Sequence, residues 1–179
     1  MPKLDYKNIK NIDNINSYDV FVETGSYKGE TIFHMEKYFN ELHTIEIKKE
    51  FYDDLTKKYN GNKIKFYLGD SSNVLNQVIK TINKPTIFFL DGHWSAGNTG
   101  KGQVHVPLYD ELTIINNFIH KCIIIIDDFR LFETNNICDW SNIKKEKVIS
   151  ILKDRIEKIY HIPSPLHKED RLVIHLKSK

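Results

Sequence analysis

Four consecutive β-branched residues, Ile123-Ile124-Ile125-Ile126, constrain this chain more than any other feature. Such a run has no polar face. As a strand it must be covered on both sides, the condition of a parallel sheet enclosed by helices. The run also belongs to a series. Short apolar stretches alternate with amphipathic segments, the pattern of repeated βαβ units. The first strand is Val20-Phe21-Val22, ending at Glu23, followed by a glycine-containing turn and a helix from about 29 to 39. A strand over 42–46 precedes a helix over about 48–59, which stops at Asn60-Gly61, a helix-ending pair. The third strand spans 64–68 and leads into a helix over about 72–82. The fourth, 86–90, ends at Asp91 before a polar loop from Gly92 to about Val106. Pro107 can open the next helix, since proline is tolerated in a first turn. That helix runs to about His120, and after the isoleucine strand another covers about 143–156. Two last strands are expected, near Ile159 and over 171–176.

Composition narrows the function classes. At 179 residues the chain is expected to form one domain, 1–179. With 40% hydrophobic and 12% aromatic residues it can fill a core, which a disordered chain cannot. The formal net charge of +2 and the scattered lysines supply no electrostatic grip on nucleic acid or an anionic membrane. Two cysteines, Cys122 and Cys138, make neither a disulfide framework nor a CxxC metal motif. The first residues lack the apolar stretch of a signal peptide, and the apolar runs are too short to cross a bilayer. A reducing, cytoplasmic setting is the resulting expectation.

The acids fall in a pattern. Glu23, Glu46, Asp91 and Asp127 end strands one, two, four and five, and Asp70 follows strand three. In an open parallel sheet the carboxyl ends of the strands line the edge where ligands bind. Any single acid there can instead cap a helix. Five at successive strand ends point to a positively charged guest. The segment Glu23-Thr24-Gly25-Ser26-Tyr27-Lys28-Gly29-Glu30-Thr31 leaves a strand and opens a helix. Its spacing is not GxGxxG, and Glu23 would repel a pyrophosphate while attracting a sulfonium or ammonium. Glu46 can accept two ribose hydroxyls, and Gly69-Asp70-Ser71 stands where an adenine amino group needs an acceptor.

The E-x-G-x-x-x-G loop, Glu46 and Gly-Asp-Ser together resemble the class I methyltransferases that use S-adenosylmethionine, over about Asp19 to Leu176. The resemblance implies an α/β, Rossmann-like three-layer sandwich with a mostly parallel seven-stranded sheet and an antiparallel last strand. It implies that Glu23, Gly25 and Ser26 meet the methionine end of the cofactor, with Thr24, Gly29 and Thr31 in the same cofactor site. Glu46 then takes the ribose, Asp70 with Ser71 the adenine, and Asp91 borders the same site.

Adjacent strand ends bring Asp91 near Asp127 and Asp128. Three ionised carboxylates that close need a cation, or one takes a proton; oxygen ligands favour Mg²⁺ or Mn²⁺. His93, two residues past Asp91, is a candidate base for a substrate hydroxyl. This set resembles the metal-dependent sugar O-methyltransferases of antibiotic pathways, the macrocin and mycinamicin type. That likeness implies Asp91, Asp127 and Asp128 as metal ligands, His93 and Asp91 as the catalytic pair, and a sugar or glycan acceptor. Catechol-like hydroxyls would also suit a metal. Trp94, Lys101, His105 and Arg130 are candidate acceptor contacts; Trp94 reads equally well as packing, and the other three read first as solvent-facing or structural. The 92–106 loop, with Gly97, Gly100 and Gly102, is long enough to be a lid. A homodimer is compatible with the sequence. Two other classes stay open: a nicotinamide-dependent dehydrogenase, disfavoured by Glu23, and a non-catalytic Rossmann-like binding module.

Overall fold

The computed structural model describes residues 3–12, 14–135 and 138–179. The strands are β1 (Val20–Thr24), β2 (Glu41–Glu46), β3 (Ile64–Leu68), β4 (Thr86–Leu90), β5 (Cys122–Ile126), β6 (Ile156–Ile162) and β7 (Arg171–Leu176). They form one sheet in the order β3-β2-β1-β4-β5-β7-β6. β1, β2, β3, β4 and β5 are mutually parallel; β7 runs antiparallel to both β5 and β6. The strand order reverses at β1, so a crevice opens beyond the carboxyl ends of β1 and β4, the place where open α/β sheets take ligands. The register aligns those ends: Thr24 lies opposite Leu90 and Ile45, and Leu90 opposite Ile126.

The helices are α1 (Tyr6–Ile9), α2 (Glu30–Met35), α3 (Lys49–Lys58), α4 (Ser71–Ile79), α5 (Leu108–Ile115) and α6 (Lys145–Leu152). Side chains alternate across a strand, and the sheet accordingly feeds two cores. Val20, Val22, Phe88, Leu90, Ile124 and Ile126 pack with α4, α5 and α6. Phe21, Ile87, Phe89, Ile123 and Ile125 pack with Leu4, Ile9, Ile32 and Met35 on the other face. Every residue of the isoleucine strand is buried, as a run without a polar face requires. No helix among the described residues is long and apolar enough to cross a membrane.

Several boundaries differ from the sequence reading, among them the end of α5, at Ile115 rather than near His120. The first strand continues through Glu23 and Thr24, which are therefore buried strand residues. α2 ends at Met35, since the chain must turn back to enter β2, and Tyr38 N–H donates to the Met35 carbonyl. α6 stops at Leu152 and a 3-10 turn covers Lys153–Arg155. The cause is Arg155, buried at 4% exposure, whose guanidinium donates to the carbonyls of Ile115, Asn116, His120 and Lys177. It closes the carboxyl end of α5, where the last carbonyls lack helical partners.

Candidate active site

Gly25 ends β1 with φ +82°, and a Cβ there would stand 2.3 Å from the backbone oxygen of Asp91. Only glycine permits that approach between two strand ends. Gly29, at φ +79°, starts α2; its Cβ would strike Leu55 and Phe33, so it packs the helix start tightly, as its position in the sequence suggests. Three spaces meet at Gly25. One of about 540 Å³ includes Glu23, Ser26, Lys28, Thr31 and Asp91 in its wall. A second, about 350 Å³, is lined by Glu46, Tyr27, Phe51, Asp91 and His93. The third, about 330 Å³, is lined by Asp70, Ser71, Gly92, Gly100 and Gly102. The expected methionine, ribose and adenine residues thus divide among three neighbouring compartments.

The acids here are buried and short of cations. Burial, helped by the charge of Glu46 and opposed by the Thr44 hydroxyl, pushes Glu23 up to about 8. Thr44 Oγ1 donates to Glu23 Oε2 at 2.6 Å and shares a short hydrogen bond with Ser26. Burial, then the charges of Asp127, Asp128 and Glu23, hold the Asp91 carboxyl well above the usual carboxylate range. Burial also raises Glu46, although the backbone N–H groups of Tyr27 and Lys48 donate to its two oxygens at 2.7 and 2.8 Å. Asp70 caps α4, accepting from Ser72 N–H at 3.0 Å, and its other oxygen faces Gly102. For Asp70 the helix-cap reading holds, and one oxygen stays directed at the third space.

His93 is the best-fixed polar group at the rim, its side chain 5% exposed. Its Nε2 lies 3.1 Å from Asp128 Oδ2 and 3.0 Å from Ser95 Oγ, while Nδ1 stands 3.4 Å from Asp91 Oδ1, too far for a good hydrogen bond. The Trp140 ring meets the imidazole edge-on at 4.9 Å. Although burial alone would raise Asp128, His93 and Arg130 outweigh it and lower its pKa, so this carboxylate is charged.

The expected metal set of Asp91, Asp127 and Asp128 needs correction. Asp127 accepts from Arg171 Nε at 2.9 Å, and Arg171 is fully buried. Asp128 is paired with Arg130, which also donates to Asp170 at 2.6 and 2.8 Å. Ligand atoms close enough to share an ion group Asp91 with His93 and Asp128, and Asp127 with Asp128 and Asp170, but not the three predicted acids together. Two arginines already supply the compensating charge, and a divalent ion would be added next to them. The predicted triad does not fit a metal.

Arg130 is tied into this ion-pair network through Nη1. The Trp94 ring packs on His105 at 4.7 Å, and Lys101 Nζ lies 4.7 Å from its centroid. Trp94 N–H donates to the His105 carbonyl at 2.8 Å, which joins the two ends of the lid. The lid rests on the rim: a Cβ on Gly100 would strike Ile47, one on Gly102 would strike Asp70, and Lys48 Nζ donates to the Asn98 carbonyl at 2.6 Å.

Four participants escape the sequence reading. Glu111, 1% exposed, stands with Thr24 and Ser71 around Gly92, and burial pushes it up to about 7. On a helix face it reads as an ordinary surface acid. Asp170 and Arg171, at the start of β7, complete the ion pairs of the acid pair. Lys3 contributes to the wall of the 540 Å³ space from a segment that carries no motif.

No protein-family model matches the chain, and no curated protein matches it in sequence. Solved structures do resemble it. The PH0226 protein from Pyrococcus horikoshii OT3 superposes with a TM-score of 0.58 at 12% identity, over 97% of this chain and 89% of that one. Human methyltransferase-like protein 13, in complex with S-adenosylhomocysteine, gives 0.57 at 12% identity, over 90% and 72%. Magnesium protoporphyrin IX methyltransferase from Synechocystis PCC 6803, with bound S-adenosylmethionine, gives 0.54 at 11% identity, over 93% and 73%. At these identities the likeness is one of architecture: the chain has the Rossmann-like, seven-stranded fold of the S-adenosylmethionine-dependent methyltransferases.

Proposed function

We propose that this protein is an S-adenosylmethionine-dependent methyltransferase that acts on a hydroxyl, with a sugar, a glycan or a comparably small hydroxylated molecule as acceptor. One observation carries the reading: His93, fixed by Asp128 through one nitrogen, lines the same space as Glu46 and Asp91. Three raised carboxyls around a glycine cradle suit a guest with positive charge, and the glycine-lined third space suits a flat base. S-adenosylmethionine held there supplies an electrophilic methyl group on a sulfonium.

The residues of the chain do the rest. Asp128, ionised, fixes the tautomer with the proton on Nε2, so the lone pair sits on Nδ1, which stands 3.4 Å from Asp91 Oδ1. Nδ1 takes the acceptor's hydroxyl proton as the oxygen attacks, a general-base effect of about 10²–10⁴-fold. The imidazolium that results lies between two carboxyl groups, Asp128 and Asp91. The lid excludes water, and holding the reactants in line supplies much of the remaining acceleration. The divalent-metal requirement inferred from the sequence drops out of this scheme, because arginines already neutralise Asp127 and Asp128.

The test is a screen of sugar nucleotides, oligosaccharides and catechols with methyl-labelled S-adenosylmethionine, with and without a chelator. Label is expected on an oxygen in chelated enzyme. His93→Ala should lose about 10²-fold or more in turnover, with S-adenosylhomocysteine affinity retained. Full turnover in that variant removes the base, and transfer only to nitrogen or carbon removes the hydroxyl assignment.

A further inference from the structure

We propose that Lys3 holds the carboxylate of the cofactor's amino-acid end, and that the Asp127–Arg171 pair serves to keep the segment carrying Lys3 in place. The proposal rests on the cofactor reading above and goes beyond it to a residue that no motif marks.

The 540 Å³ space has acids and bases in its wall: Glu23, Glu30 and Asp91 against Lys3 and Lys28. Glu23 and Asp91 are the buried members, at 2% exposure and at 12% for the Asp91 side chain. An α-amino acid brings one ammonium and one carboxylate. Acids at the floor suit the ammonium, and the carboxylate then needs a cation at the mouth. Of the two lysines, Lys28 already lies 5.2 Å over the Tyr27 ring. Lys3 is exposed, and its backbone is held from both sides. The next residue, Leu4, is fully buried in the core, and its N–H donates to Thr31 Oγ1 at 3.1 Å. The Lys3 carbonyl accepts from Arg171 Nη2 at 3.4 Å, and Arg171 Nε is held by Asp127 at 2.9 Å. Asp127, expected from the sequence to bind a metal, thus has a structural task through Arg171, while its carboxylate stays within 4.8 Å of that of Asp128. One acid of the pair anchors the cavity wall; the other orients His93.

The experiment is calorimetric titration of the full chain with two ligands: S-adenosylhomocysteine, and its decarboxylated analogue that keeps the amine but lacks the carboxylate. Wild type should prefer the first by about three- to fivefold, the scale of a partly exposed ion pair. Lys3→Ala should abolish that preference while leaving affinity for the analogue unchanged, the signature of a pairwise term. Lys3→Glu should reverse it. The proposal is overturned if Lys3→Ala weakens both ligands equally or neither, or if Lys28→Ala removes the preference instead. A wild type that binds neither ligand sinks the cofactor reading itself, a separate failure from a wild type that binds both but ignores Lys3.

Discussion

Glu23 concentrates the charge argument at the scale of one residue. Its carboxyl is held up to about 8 by burial, so near neutrality it carries a proton. A bound ammonium or sulfonium favours the ionised form and drives that proton out. Affinity for S-adenosylhomocysteine should therefore rise with pH, by at most about tenfold per unit, and level off near pH 8. Above that Glu23 is already ionised and the gain is exhausted. Calorimetry between pH 6 and 9 measures the slope, and Glu23→Gln should flatten it; an unchanged slope in that variant rules Glu23 out as the responsive group. Glu46 and Asp70 were readable at the ends of β2 and β3 from where the apolar runs stop, whereas β1 runs on past Glu23 to Thr24. The acid pair was misread for a definite reason. The cation that claims Asp127 is Arg171, 44 residues further along, a separation that gives no sign of closeness, and Arg130, two residues past Asp128, was read as an acceptor contact. Nothing in the sequence distinguishes a carboxylate awaiting a metal from one already facing an arginine.

Among the elements, the strands were legible and the helix ends were not. Short, near-continuous apolar runs mark β1, β4 and β5 because these strands are buried on both faces. Helix ends depend on tertiary partners. Arg155 shows this most clearly: in sequence it is one more charged residue on an amphipathic stretch, and in the fold it terminates α5 and starts β6. Arg155→Ala would strip four carbonyls of a buried charged donor. Loss of these bonds should cost roughly 3 kcal/mol, a fall in melting temperature on the order of 10 °C. Thermal unfolding followed by circular dichroism measures it. A shift within 1–2 °C, the order expected of an ordinary surface substitution, would mean that water replaces the guanidinium at no cost. The lid is an intermediate case. Its length and glycines were visible in the sequence, but its seat on Ile47 and Asp70 depends on β2 and α4.

At the scale of the whole molecule, the sheet order puts β1 beside β4 and thereby sets Gly25 against Asp91, with Glu46 on one flank and His93 on the other. The proposed transfer needs a methyl donor and a base at one point, and this crevice holds the groups assigned to both. The seven-stranded architecture shared with methyltransferases of about 10% identity is a consequence of the same packing rules. The central claim is that the acids around Gly25 receive a positively charged nucleoside cofactor. A crystal structure of the protein soaked with S-adenosylhomocysteine tests it most directly. The account predicts density over Gly25, with the ribose against Glu46, the base beside Asp70 and Ser71, and the ammonium at Glu23. Density elsewhere on the molecule, or a crevice unchanged at saturating ligand, would contradict it.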